Sequence, residues 1–432
     1  MVDDEMLERQ RAISRGPAGK AIPRCNVDRR NFLRYAAGSL AGAALAGEWT
    51  RRCLASGDPA VAAGEESPLL RLPEKTELLL RTLRPPNLET PLRYFRQDLT
   101  PNEAFYVRWH LAVLPTRVDV AEFRLTLGGH VERPLSLSLD ELRRDFEPVT
   151  LVAVNQCSGN SRSLYRPRMP GVQWGNGALG NARWTGVRLK DLLARAKMKA
   201  RAVDVSFNGL DGPVLPAAKN FAGTPDFVKS LKVDHANDGE VMVAYEMNGG
   251  PLPMVNGFPL RLVVPGWYAT YWVKALNEIV VLDKPFDGFW MAKAYRVPNT
   301  PDFQEAPAQL AKETVPINRM SVRSLFVRPE PGESVAAGAP YEVQGLAIDG
   351  GRGIKSVEVS SDGGKSWDAA KLDPEIGRYS WRRWRLAWTP RRGKYRLMAK
   401  ATNAAGQTQT IAQWNRSGYA RNVIESVDVT VE

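Results

Sequence analysis

Cysteine and histidine are scarce in this chain, with three of each among 432 residues. The cysteines stand at positions 25, 53 and 157, too few for a disulfide framework. Three histidines far apart in sequence argue against a His-rich zinc site. No Cys-x-x-Cys-His run occurs, so no haem is attached through that motif. The Ala- and Gly-rich stretch from Tyr35 to Gly47 falls short of the roughly 20 residues that cross a bilayer, and no membrane span is expected. Runs of one charge are also missing. Lys and Arg number 59 against 47 Asp and Glu, a net charge of +12. The basic residues are scattered rather than clustered, which argues against nucleic acid and leaves an acidic partner or a small anion.

What is present fits a soluble globular protein: 44% hydrophobic and 25% charged residues. The length suggests two domains or three. Asp28-Arg29-Arg30-Asn31-Phe32-Leu33-Arg34 resembles the bacterial twin-arginine export signal, followed by a weakly apolar stretch and a small-residue cleavage site at Ala60-Val61-Ala62. Residues 1–63 therefore read as a signal segment, and the expected location is the periplasm. Removing it would leave Cys157 as the single thiol.

Residues 64–100 are rich in Pro and Leu with no clean periodicity and are expected to wrap the surface. Phe123 to Leu127 alternates apolar and polar residues, the pattern of a half-buried strand. Ser138-Leu139-Asp140-Glu141 is a capping box opening a short helix. Val149 to Val154 is an apolar, β-branched run read as a buried strand that delivers the chain to Cys157. Leu189, Leu192, Leu193 and Ala196 recur at helical spacing over 188–197, and Leu260–Val264 and Glu278–Leu282 read as strands. Gln304 to Thr314 is a polar linker. Beyond it, short strands separated by turn signals every ten residues or so read as a β-sandwich. Ser360-x-Asp362-x-Gly364-x-Ser366-Trp367 reads as a structural hairpin, with Asp362 bonding backbone N–H groups. The expected fold class is α+β: a mixed α/β domain over 64–310, then an all-β sandwich over 311–432.

Cys157 follows a buried strand and opens a loop of small and polar residues, where a scaffold presents a reactive group. Arg162 close by in sequence would favour a thiolate. The residues alone leave three readings open: an inert buried thiol, a soft metal ligand, or a nucleophile whose base comes from elsewhere.

Three segments carry a resemblance: Phe105-Tyr106-Val107-Arg108-Trp109-His110, Val154-Asn155-Gln156-Cys157-Ser158-Gly159-Asn160-Ser161-Arg162, and Ala244-Tyr245-Glu246-Met247-Asn248-Gly249-Gly250-Pro251-Leu252-Pro253 running into Gly257–Gly266. Together they resemble the sulfite oxidase family of molybdopterin enzymes, from about Asn102 to the C-terminus. Within it the likeness is strongest to bacterial sulfite dehydrogenases linked to cytochrome c. The resemblance implies one molybdenum–molybdopterin per chain, with Cys157 as the protein's metal ligand, and oxidation of sulfite to sulfate. Arg108 and Arg162 would hold the sulfite oxygens, Tyr295 would be the active-site tyrosine and Trp174 the pocket tryptophan. His110, Arg261, Lys274, Asp211 and Asn256 fall at cofactor-binding positions. Animal members have His where this chain has Asn256, so that contact is altered or lost. The family's C-terminal Trp-Asn-x-Arg-Gly appears as Trp414-Asn415-Arg416-Ser417-Gly418, and Arg416, Arg421 or neither takes the arginine's part.

No b-type haem domain is recognisable, so the resemblance implies no haem in this chain and a c-type cytochrome as external acceptor. It also implies an immunoglobulin-like C-terminal sandwich that dimerises, in a homodimer or in a heterodimer with a cytochrome subunit. Two other readings compete. One is a related molybdopterin reductase acting on nitrate or methionine sulfoxide; the other is a non-catalytic β-sandwich binding protein.

Overall fold

The computed structural model describes residues 68–214 and 225–432. The twin-arginine segment and the cysteines at 25 and 53 lie outside them. Strands dominate, and the helices are few and short: Leu139–Asp145, Leu189–Arg195, Val233–Ala236 and Phe289–Ala292 among the described residues. The expected mixed α/β domain is therefore mostly sheet.

The stretch 64–100 departs from its expected role. Leu69–Arg71, Glu77–Thr82, Asn87–Glu89 and Val107–Arg108 form a four-stranded antiparallel sheet. Leu78 and Leu88 are fully buried there, in a cluster with Val107, Trp109 and Ala275. Strands this short, only two of which bury a leucine, leave no periodicity to read.

Two five-stranded sheets build the rest of the catalytic part. One runs Lys229–Lys232, Asp204–Gly209, Leu276–Leu282, Leu125–Gly129, Leu135–Leu137, with a parallel pairing between Leu276–Leu282 and Leu125–Gly129. The other runs Gly250–Pro251, Met242–Met247, Leu179–Arg188, Pro148–Gln156, with Arg261–Val263 also paired to Met242–Met247. Helix Leu139–Asp145 opens on the expected capping box: the Glu141 N–H donates to Ser138 Oγ at 3.2 Å, and the Ser138 N–H to Glu141 Oε2 at 2.8 Å. Helix Leu189–Arg195 buries Leu189, Leu192 and Leu193.

The C-terminal part is two facing sheets. One contains Arg323–Arg328, Tyr341–Ile348, Arg382–Trp388 and Lys371–Leu372; the other contains Ser334–Val335, Glu425–Val431, Gly393–Asn403, Ile354–Ser360 and Asp368–Ala369. Glu425–Val431 alternates buried and exposed residues throughout, as a strand with one face in the core must. In the Asp362 hairpin, Oδ1 accepts from the Lys365 and Ser366 N–H groups at 2.8 and 2.9 Å. The polar linker is tied down, since Thr314–Pro316 pairs with Arg296–Pro298. One apolar cluster joins Leu111, Val154 and Tyr295 to Ile317, Leu325 and Trp381, so the catalytic part and the sandwich share a core.

Candidate active site

Strand Pro148–Gln156 starts exposed and ends fully buried, carrying the chain inward to Cys157. The Cys157 N–H donates to Ala178 O at 2.9 Å, and Cys157 O accepts from the Asn160 N–H at 3.0 Å. Asn160 Oδ1 also takes the Ala178 N–H, so the loop closes on itself. The thiol is free and 7% exposed.

Cys157 sits where two cavities meet. The inner one, about 400 Å³, is lined by Tyr106, Arg108, His110, Asn155, Cys157, Ser158, Asn256, Arg261, Ala269, Thr270, Lys274 and Tyr295. The outer one, about 1330 Å³, shares Arg108, His110, Cys157 and Tyr295 and adds Arg162, Trp174, Trp290, Lys293, Arg296, Arg416 and Tyr419, among others. Among the described residues no carboxylate lines either cavity. An anion entering either one meets guanidinium and ammonium groups rather than a competing charge.

Each arginine is held. Arg108 donates through Nη1 to Asn87 Oδ1 at 3.2 Å and to Trp109 O, and through Nη2 to the Tyr295 hydroxyl at 3.4 Å. Arg162 lies in a cradle of glycines. A Cβ on Gly159 or Gly171 would come within 2.7 Å of its guanidinium, and one on Gly418 within 2.9 Å of its Nε. Its Nη groups donate to Val172 O and Ser417 O, each at 3.3 Å, and it lies 4.9 Å over the Tyr419 ring. Arg261 is flanked by Trp184 and Trp272 and donates to Asn256 O at 2.9 Å.

His110 Nε2 hydrogen-bonds the Tyr295 hydroxyl, and the ring stacks on Phe227 at 3.7 Å. Burial, with the charges of Arg108, Lys274 and Lys229, holds His110 well below the usual histidine range, so it is neutral. Burial pushes the Tyr295 phenol far up, against the opposing charge of Arg108, and it stays protonated. Lys274 lies 4.4 Å over the Trp109 ring. Burial drives Lys274 down and Asp211 up, each partly countered by the other's charge.

Nine of the ten sequence candidates thus converge on the two cavities: Arg108, His110, Cys157, Arg162, Trp174, Asn256, Arg261, Lys274 and Tyr295. Asp211 lines neither and stands buried behind them. Asn256 reaches the wall, but its Oδ1 is taken by Lys75 and its Nδ2 donates to Tyr106 O at 3.0 Å. Of the two arginines left open, Arg416 lines the outer cavity, bound through Nε to Glu305 Oε1 at 2.9 Å and through Nη2 to Oε2 at 2.5 Å. Arg421 lies elsewhere, facing Glu425 at 3.8 Å. Sequence reasoning missed Arg296, Lys293 and Tyr419 outside and Tyr106, Asn155, Ser158 and Thr270 inside. Tyr106, Asn155 and Ser158 stand within the quoted motifs, Lys293 and Arg296 flank Tyr295, and Tyr419 follows the Trp414–Gly418 segment; Thr270 carries no local signal.

Several buried polar atoms here have no partner among the described residues: Ser158 Oγ, Thr270 Oγ1, Asn155 Nδ2, His110 Nδ1 and Arg261 Nε inside, and Trp174 Nε1 and Arg162 Nε outside. Each such atom costs about 1–3 kcal/mol. An anionic, hydrogen-bond-rich group in the inner cavity fits them. Among the described residues no three His, Cys, Asp or Glu gather to hold a metal. A metal at Cys157 would draw its other ligands from such a group, and a dithiolene-bearing pterin supplies them. The donor set therefore fits molybdopterin.

Comparison with known proteins places these features. Residues 110–290 match the oxidoreductase molybdopterin binding domain, and 314–432 the Mo-co oxidoreductase dimerisation domain. Human mitochondrial sulfite oxidase is 34% identical over 376 residues, 82% of this chain and 66% of the human protein. Sulfite oxidase of Gallus gallus is 33% identical, covering 80% of this chain and 76% of the chicken protein. A nitrate reductase [NADPH] of Emericella nidulans is 33% identical over 72% of this chain and 37% of its own length. The sulfane dehydrogenase SoxCD of Paracoccus pantotrophus shares the fold, with a TM-score of 0.69 at 24% identity over 87% of this chain and 94% of that one. The chain belongs to the sulfite oxidase family of molybdopterin enzymes.

Proposed function

We propose that this protein oxidises sulfite to sulfate at a molybdenum–molybdopterin centre, one per chain, with Cys157 as the protein's metal ligand. The observation that carries the reading is the position of the Cys157 thiol between an inner cavity lined by cations and unpartnered polar atoms and a cationic outer one. Arg261, Lys274, Arg108 and the unpartnered inner atoms would hold the cofactor. When bound, it supplies the two-electron oxidation and the transfer of oxygen. Overall, sulfite and water give sulfate, two protons and two electrons.

The chain's own part is binding and orientation. Arg108 and Arg162 grip the oxyanion with planar forks suited to paired oxygens. The buried Trp174 Nε1 and the Tyr295 hydroxyl supply neutral donors. Burial of these groups keeps their charges strong at the moment the oxyanion changes.

The electrons leave to an external c-type cytochrome, with no haem in this chain. We assign the protein to the periplasm by the twin-arginine route. We also assign the domain limits 64–310 and 311–432, with an immunoglobulin-like sandwich that joins two copies or one copy and a cytochrome subunit. The family models for a molybdopterin-binding and a dimerisation domain, in that order, support this arrangement. Natively expressed protein is expected to contain molybdenum and to reduce cytochrome c when given sulfite. Loaded protein that reduces nitrate and leaves sulfite untouched sinks this assignment in favour of a reductase.

A further inference from the structure

Lys75 is 3% exposed, yet it has no hydrogen-bonded carboxylate. All three of its ammonium protons have acceptors: Asn102 O at 2.5 Å, Phe105 O at 3.0 Å and Asn256 Oδ1. Burial pulls Lys75 down to about 7 against the opposing charges of Glu103 and Glu74, while three acceptors and no donor favour the charged form of the amine. The segment that carries it is fastened to the same loop, since Glu74 Oε2 accepts the Met254 N–H at 3.0 Å. Asn256 is the only one of the three partners that lines the inner cavity. Its orientation is fixed, because Lys75 can only donate to it and Tyr106 O can only accept from it. Only one of the two Nδ2 protons is used by Tyr106 O.

We infer that Lys75 is a positioning residue for the cofactor: it polarises the Asn256 amide, so that the second Nδ2 proton acts as a cation-backed donor to the anionic part of the group in the inner cavity. An ammonium on Oδ1 draws electron density through the amide and strengthens the N–H on the far side. A lysine and an asparagine together thereby present a charge-assisted donor from the wall that also carries Arg261 and Lys274. The arrangement places an ammonium group behind the wall without filling the cavity, which a lysine reaching inward would do. This inference rests on the reading that the inner cavity takes molybdopterin.

The test is the release of cofactor from holoenzyme, followed by elemental molybdenum and by pterin fluorescence over time. Lys75→Met is expected to release both roughly tenfold faster, about 1.4 kcal/mol. Asn256→Asp gives Lys75 a carboxylate partner, so its thermal midpoint should match or exceed the parent's. It also cancels the charge and removes the donor, and should release cofactor faster as well. Release from Asn256→Asp at the parent's rate overturns the inference whether or not Lys75→Met folds, as does parent-like release from a folded Lys75→Met. A parent protein without pterin or molybdenum overturns the cofactor reading itself.

Discussion

At the scale of single residues, the proposed chemistry divides between Cys157 as a soft ligand and the groups around it. Cys157→Ser keeps the shape but replaces a polarizable thiolate with a hard, weakly acidic hydroxyl. The variant is expected to fold and to keep pterin while losing at least about a hundredfold in turnover; pterin content and steady-state rates measure the two separately. Normal turnover would remove the metal-ligand role. Arg162→Lys tests the guanidinium rather than the charge. Gly159, Gly171 and Gly418 close so tightly on the planar fork that a lysine leaves part of the cradle empty and one hydrogen-bonding edge unmade. Losing one charged hydrogen bond, about 1.5–3 kcal/mol, raises KM for sulfite roughly ten- to a hundredfold. Molybdenum content should not change, and an unchanged KM would place Arg162 outside the substrate site.

At the scale of elements, the segment after the catalytic part behaves as a strap. Glu305 takes the Arg416 backbone N–H at 2.7 Å, the Ala311 N–H at 2.9 Å and the Arg416 guanidinium. Burial pushes its carboxyl up, but these donors override it and hold the group below the usual glutamate range. A depressed carboxyl stabilises the fold above its unfolded pKa, and that contribution is lost as pH falls through the folded value. Glu305→Gln is expected to cost about 1–2 kcal/mol near pH 7, since Arg416 is partly solvated. The gap from the parent should close as acid protonates Glu305, and urea unfolding at several pH values checks it; a gap independent of pH would show that Glu305 acts by shape alone. The strap was legible only as a polar linker. The strand leading to Cys157 was legible because a β-branched run ended in small polar residues. Arg416 was open as a candidate within the Trp414–Gly418 segment, whereas Arg296 and Tyr419 only adjoin residues that the sequence singled out, and no pattern of their own marks them. The sheet before Arg108 was hidden for the opposite reason, its strands being too short to repeat.

At the scale of the whole molecule, two features join the sandwich to the chemistry. The first is Arg323, 1% exposed, which pairs with Glu425 at 2.5 Å and reaches across to Ser161 Oγ at 2.7 Å, one residue before Arg162. The Cys157 loop is thus braced by the C-terminal part, and the shared apolar core makes one cooperative unit of the two. The second feature is charge. Arg108, Arg162, Lys293 and Arg296 face the outer cavity with no carboxylate among its described lining residues, and the charge of Arg416 beside them is offset by Glu305. The proposed substrate, a doubly charged oxyanion, is expected to be drawn in by their field from beyond contact range, so kcat/KM should depend on ionic strength while kcat does not. Raising salt from about 20 to about 300 mM shortens the screening length from roughly 20 Å to under 10 Å, and kcat/KM is expected to fall several-fold. Lys293→Glu should lower kcat/KM at low salt and flatten the slope, because Lys293 is exposed and its charge acts through solvent. Chloride and acetate should act alike through screening, whereas sulfate should depress the rate further by occupying the site. A slope left unchanged by Lys293→Glu would mean that attraction arises from Arg108 and Arg162 alone, at contact, and not from the mouth of the cavity.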